Sequence, residues 1–179
     1  MPQALKKYSR LHPQVKFELR TGDAVKSREL LRTRQVELAI SLDDGLFENY
    51  QIERILEGKF VLASSKKTKQ TPNRAQYIIG DKGTEVAQLK LSYKNRYSVP
   101  LPIHCEVQSW ELIASLCERG LGIGLLPDFI LRYGQNAQLK AVKSPLELPK
   151  YEMVWACREG SHLSLAAQKF KEIFEKCLS

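Results

Sequence analysis

The sequence predicts an α/β protein with mainly parallel strands, and three observations predict it. Strand-like and helix-like periods alternate along nearly the whole chain. VKFELR (15–20), a helical stretch at 24–34 and VELAISL (36–42) make a strand–helix–strand unit of about thirty residues, the size of a right-handed crossover. Residues 106–130, EVQSWELIASLCERGLGIGLLPDFI, then carry a helical pattern straight into a short buried strand.

Each element has a local reason. Pro2 suits the first turn of a helix, where its missing N–H costs nothing. Ala4, Leu5, Tyr8 and Leu11 give that helix one apolar side, and His12-Pro13 stops it. In VKFELR, Val15, Phe17 and Leu19 alternate with Lys16, Glu18 and Arg20, as in a strand covered on one face. Asp23 is placed to cap the helix at 24–34. VELAISL reads as a continuous, fully buried strand of a parallel sheet. Asp43-Asp44-Gly45 is a turn signal. Residues 52–56 and 60–63 read as two strands separated by Glu57-Gly58. The polar run KKTKQTPNR (66–74) reads as a loop, YIIG as a strand, 84–93 as a helix, and VPLPI as a link into the strand IHCEV. Trp110, Ile113, Ala114 and Cys117 recur at helical spacing, and Glu118-Arg119-Gly120 close that helix. QLKAV and YEMVWAC follow as strands. Leu163, Ala166, Ala167, Phe170, Ile173, Phe174 and Cys177 line one face of a closing helix.

Gly120, Gly122 and Gly124 invite comparison with a dinucleotide loop. That loop needs strand, glycines, helix, so that phosphates meet a helix N-terminus. Here the order is helix, glycines, strand. The glycines therefore read as small residues that let a strand lie close under a helix.

Composition narrows the class. The 179 residues suffice for one sizeable core or two small lobes, and 43% hydrophobic with 27% charged residues is globular usage. No run approaches the roughly 20 apolar residues that span a bilayer, and the first residues hold no signal-peptide apolar core. Cys105, Cys117, Cys157 and Cys177 sit in apolar runs without CxxC spacing, so they read as reduced core thiols rather than disulfides or metal ligands. A cytoplasmic protein without membrane contact, metal or cofactor is the expectation. Of the net charge of +8, residues 1–35 carry +6, from nine Lys/Arg and three Asp/Glu. These basic residues are scattered at helical and strand spacing with few stacking aromatics, which reads as solvated faces. At most they support weak, salt-sensitive, non-specific contact with DNA.

Four stretches together resemble one family. The helix followed by RGLGIGLLP is similar to the effector-binding domain of LysR-type transcriptional regulators. ALKKYSRLHPQVKFELRTGD resembles the family's opening of helix, His/Tyr-Pro, strand and Gly. ELLRTRQVELAIS resembles its leucine, spacer, acidic residue and apolar strand, and LSLAAQKFKEIFEKC its last helix. The four occur in the family's order and span nearly the whole chain. The resemblance implies two periplasmic-binding-protein-like lobes joined by two crossing strands, FVLASS outgoing and YEMVWACR returning. Lobe one is then 1–61 plus 157–179, and lobe two 62–156. The chain lacks the family's winged helix-turn-helix, its linker helix and the strand that opens lobe one. DNA contact is thus expected only through a helix-turn-helix domain outside this chain. The resemblance also implies a homodimer in which residues 3–20 meet the helix 109–119 of the partner.

The ligand site follows from fold and resemblance together. Open α/β folds bind ligands beyond the carboxyl ends of their strands, where helix N-termini present free N–H groups. Those points fall at Thr21 and Asp23, at Ser41 and Leu42, at Asp81 and Thr84, and at Gln108, Ser109 and Trp110. They match the places where the resembled family lines the cleft between its lobes. Thr21, Ser41, Thr84, Gln108 and Ser109 supply neutral donors and acceptors, and Trp110 a wall. Asp23 and Ser109 equally suit N-caps. A small polar effector is expected, an anion among the candidates, with Asp23 and Asp81 set against a strongly anionic one. Two other readings use the same scaffold: an exported solute-binding protein, for which no signal is visible, and a metabolic enzyme. His12, His104 and His162 fall in no metal spacing, and no nucleophile elbow, P-loop or carboxylate pair is present, so no catalytic residue is assigned.

Overall fold

Pro2 and the His12-Pro13 stop bound the first helix as the sequence implies: α1 spans Pro2–Leu11 in the computed structural model, which describes residues 1–134 and 137–178. There follow α2 (Ala24–Arg32), β1 (Ala39–Leu42), β2 (Tyr50–Ser65), β3 (Tyr77–Ile79), α3 (Thr84–Tyr97) and β4 (Ile103–Glu106). The rest comprises α4 (Trp110–Glu118), β5 (Ile123–Pro127), α5 (Asp128–Tyr133), β6 (Leu139–Ala141), β7 (Lys150–Arg158) and α6 (Leu165–Glu175). The chain divides into two units, Met1–Glu57 with Glu152–Ser179, and Gly58–Tyr151. The division falls a few residues before the 61/62 and 156/157 positions expected from the sequence. The strands β2 and β7 both run through it.

In the first unit α1 and α6 pack against each other over Ala4, Tyr8, Trp155, Phe170 and Phe174. Tyr8 and Phe170 meet edge to face at 5.8 Å, Trp155 and Phe174 at 5.1 Å, the geometry that suits aromatic quadrupoles. The buried Tyr8 hydroxyl donates to the carbonyl of Ala166 at 3.1 Å. Leu31, Phe47 and Ala156 form a second cluster beneath α2. Strand β1 pairs antiparallel with β7, Ala39 opposite Ala156.

Two expectations fail in this unit for one reason. Residues 15–20 form no strand, and β1 is half-buried and antiparallel rather than a fully buried parallel strand. An extended segment becomes a strand only when a neighbour takes its N–H and C=O groups. Among the described residues no strand lies beside 15–20 or on the edge of β1 away from β7. The two-residue period of 15–20 still has a use: the Phe17 ring packs at 5.1 Å on Tyr8 and 5.4 Å on Phe170, while Leu19 stays exposed.

The second unit holds the parallel crossovers. Strand β3 pairs in parallel with β4 on one side and β5 on the other, α3 and α4 making the connections. The second half of β2 pairs antiparallel with β5 and with β6. The strands are therefore mixed rather than mainly parallel, because β2 is a through-running strand while β3, β4 and β5 are joined by helices. Helix α4 covers this sheet, with Ile78, Ile113, Ala114, Cys117 and Leu126 fully buried at its centre.

The expected break at Glu57-Gly58 is also absent, since β2 runs unbroken for 16 residues. Gly58 serves space rather than a turn. A Cβ there would stand 2.3 Å from the Tyr151 hydroxyl and 2.6 Å from a carboxylate oxygen of Asp128. The glycines of β5 behave as the order helix, glycines, strand implied. A Cβ on Gly124 would lie 2.6 Å from Cys117 Sγ and 2.7 Å from Ile113 Cγ2, so α4 rests directly on the strand.

Candidate functional site

Strands β3 and β4 end side by side, and the loops after them meet. The Val107 amide still donates to the Ile79 carbonyl at 2.9 Å, which carries the pairing past β4. One residue on, the Gln108 side-chain amide donates to Asp81 Oδ2 at 2.9 Å. Asp81 belongs to the turn between β3 and α3, and Thr84, exposed, is the first residue of α3. Ser109 is the N-cap of α4: its hydroxyl oxygen accepts from the Leu112 amide at 3.2 Å, and the hydroxyl donates to Glu111 Oε2 at 3.1 Å. Capping places an acceptor on an amide that has no partner within the helix, worth roughly 0.5–2 kcal/mol.

Trp110 begins α4 half-buried. Its ring meets Phe60 at 6.2 Å and Phe129 at 5.8 Å, and both of those meet Tyr151, at 5.6 and 5.9 Å. All four contacts are edge to face, so the four rings close a cycle. Beneath it the Tyr151 hydroxyl donates to Asp128 Oδ1 at 2.6 Å, and Arg132 holds the other oxygen at 2.5 Å. Burial, and then the bond to Asp128, push the Tyr151 phenol well above its ordinary value.

Glu85 is a group that sequence reasoning missed. It lies in the first turn of α3, and its carboxylate folds back over Gly83 and accepts from its own amide. Burial raises its pKa from the ordinary value, partly opposed by that backbone bond. An acid in the first turn of a predicted helix was the available signal.

In the first unit Asp23 caps α2, Oδ1 accepting from the Lys26 amide at 2.8 Å. Thr21 is exposed in the segment before it. Ser41 is buried, donating to the Leu42 carbonyl at 3.0 Å, and Leu42 is half-buried at the end of β1. The tie between α2 and the end of β1 is one the sequence did not disclose. Arg28 donates to both carboxylate oxygens of Asp44, at 2.6 and 2.7 Å, and stands 5.0 Å from the centre of the Phe47 ring. The Tyr50 hydroxyl donates to the Arg28 carbonyl at 2.9 Å.

The nine expected residues thus fall into two sets. Thr21, Asp23, Ser41 and Leu42 belong to the first unit; Asp81, Thr84, Gln108, Ser109 and Trp110 belong to the second. Within the second set the Gln108–Asp81 bond joins two loops directly. Of the histidines, His12 packs tilted against Tyr8 at 4.6 Å and His104 and His162 are exposed. The four cysteines are free thiols.

A family model described as LysR substrate binding domain matches residues 1–178. The HTH-type transcriptional regulator IlvY of Escherichia coli (strain K12) is 25% identical over 143 residues, which cover 73% of this chain and 48% of that protein. The chain therefore spans about half the length of the curated relatives it matches. Among solved structures, the cofactor-binding domain of the Cbl transcriptional regulator superposes with a TM-score of 0.76 at 17% identity, covering 99% of this chain and 82% of that one. The regulatory domain of CcmR from Synechocystis PCC6803, in complex with 2-PG, gives 0.75 at 20% identity, with 98% and 89% covered. These two share a fold with this chain.

Proposed function

The chain belongs to the LysR substrate binding domain family, and we propose that it senses a small polar effector for a transcriptional regulator. One observation carries the choice of site. The loops after the parallel strands β3 and β4 are joined by Gln108 and Asp81, beside the N-termini of α3 and α4. Polar groups beyond the carboxyl ends of parallel strands are where open α/β folds bind ligands. Asp81, Thr84, Gln108, Ser109 and Trp110 are the proposed contacts on the second unit, Thr21, Asp23, Ser41 and Leu42 are proposed separately on the first, and that a structural neighbour was solved with 2-PG supports an effector of small size.

On this reading the protein does no chemistry. Effector binding shifts the population of two arrangements of the regulator by the difference in affinity for them. That the relatives are HTH-type regulators supports the reading that DNA contact falls to a helix-turn-helix domain outside these residues and that the protein works in the cytoplasm. A homodimer is part of the proposal. Leu11, Phe17 and Leu19 in residues 3–20, and Leu112 on α4, are exposed apolar groups that an isologous pair would cover.

Calorimetry with a metabolite panel tests the site. Wild type is expected to bind one member, and Ser109→Trp, which fills the space at the α4 N-terminus, to lose it. Ser109→Asp keeps a capping oxygen and controls for helix stability. Equal binding by wild type and Ser109→Trp would place the effector elsewhere.

A further inference from the structure

The first unit contains a cavity of about 280 Å³ that none of the nine expected residues lines. Its walls come from the start of β2 (Gln51, Ile52, Glu53), the end of β7 (Trp155, Ala156, Cys157) and α6 (Gln168, Lys171). Leu38 and the loop carrying Ser161, His162 and Leu163 complete it. Ligand pockets begin at about 300 Å³ for drug-sized molecules, so this one suits something smaller.

Its chemistry is two-sided. Leu38, Ile52, Leu163 and Ala156 are apolar. Across them Lys171 Nζ lies 2.6 Å from Glu53 Oε2 and 5.9 Å from the centre of the Trp155 ring. The Lys171 side chain is 18% exposed and that of Glu53 60%. An ion pair this open contributes only about 0–1 kcal/mol, so parting it costs little. The amide of Gln51 accepts weakly from the Cys157 thiol at 3.8 Å, and the exposed His162 makes no hydrogen bond or ion pair among the described residues.

The pairing of opposite charges selects the class of ligand. A simple anion can engage Lys171 alone and a simple amine Glu53 alone, so each gains one charged partner. A zwitterion replaces both partners at once, its carboxylate on Lys171 and its ammonium on Glu53, each a charge-assisted bond. We propose that this cavity is a second small-molecule site, taking a zwitterionic α-amino acid whose apolar side chain lies against Leu38, Ile52 and Leu163. It adds a regulatory input separate from the effector site and stands whether or not that site is correctly placed.

Calorimetry of the full chain with L-norleucine, hexanoate and pentylamine tests it. At millimolar concentration L-norleucine is expected to bind, with the other two weaker. Lys171→Gln, which removes the less exposed charge, should weaken L-norleucine roughly tenfold, and Glu53→Gln, at the open carboxylate, by up to about fivefold. Both side chains lie at the surface of the unit, so either variant alone keeps the test informative. Ser109→Trp should leave L-norleucine binding unchanged. No binding to wild type, equal binding of hexanoate, or binding lost in Ser109→Trp but kept in Lys171→Gln, would each overturn the proposal.

Discussion

Gly124→Ala is expected to destabilise the second unit by a margin that one neighbouring substitution partly restores. The new Cβ would stand 2.6 Å from Cys117 Sγ and 2.7 Å from Ile113 Cγ2, where non-bonded heavy atoms prefer about 3.5–4.0 Å. Roughly 1 Å must be found at both contacts. Strand β5 cannot supply it, because Gly124 is paired with Ala63 of β2 on one side and Ile78 of β3 on the other. Helix α4 must move, and its buried face already fills the core. Overpacking of this kind costs about 1–3 kcal/mol, and the pinned strand argues for the upper half. At about 2–4 °C per kcal/mol for a chain of this length, Tm should fall by roughly 4–12 °C. Cys117→Ala alone removes one buried atom, at a cost of about 1 kcal/mol. Combined with Gly124→Ala it removes one of the two clashes, so urea titrations should show the double variant more stable than the sum of the singles by at least about 0.5 kcal/mol. Gly122→Ala is the control. Its Cβ would lie 2.5 Å from the Gln76 carbonyl oxygen, which accepts from the Ile123 amide at 2.9 Å. Trimming Cys117 should not rescue it. A Gly124→Ala protein as stable as wild type, or strict additivity with Cys117→Ala, would refute the packing argument.

Further outcomes are expected. Burial pushes the Cys117 thiol up to about 12, so at pH 8 only about one molecule in ten thousand carries the thiolate; it should resist iodoacetamide in the folded protein while the half-buried Cys105 and Cys177 react. Glu85 holds its proton more tightly folded than unfolded, so it favours the folded state below the ordinary carboxylate pKa, and that contribution is lost as pH rises through the raised value. Glu85→Gln should therefore melt above wild type at pH 7, with the gap closing near pH 4; a constant gap would exclude titration as its cause. Tyr151→Phe leaves Asp128 Oδ1 without its donor and should cost about 1–3 kcal/mol in a urea titration, relieved in part by Asp128→Asn.

The second unit was legible in the sequence because its organisation is local. The strands YIIG, IHCEV and LGIGLLP are separated by single helices with clear stops, so apolar runs and caps identify each element. Ser109 and Asp23 as N-caps came from the same short-range signals. What failed depends on partners distant in sequence. The period of VKFELR is that of a strand, yet a period specifies a face and supplies no neighbour. Glu57-Gly58 looked like a break because the groups that crowd Gly58, Asp128 and Tyr151, lie far along the chain. The Gln108–Asp81 bond spans 27 residues and the Arg28–Asp44 pair 16, and no local pattern marks either.

How the helix N-termini are satisfied bears on the effector's charge. Anions are attracted to strand ends by helix amides without partners and by the positive end of the helix dipole. In the second unit Glu85 covers α3 with a carboxylate, and Ser109 with Glu111 covers α4. Each acid offsets part of the dipole that would attract an anion. Asp81 adds a further carboxylate, held by Gln108. An anion entering here would displace these groups or lie beside them, and like charges at close range cost more as water is excluded. A neutral hydroxyl- or amide-rich molecule meets no such cost, since Thr84 and the remaining hydrogen-bonding capacity of Gln108 can each donate or accept. The proposed effector is accordingly neutral and polar. In the metabolite panel its binding should change little between low and moderate salt, whereas a strong loss of affinity with added salt would identify an anion held by charge and count against this reading.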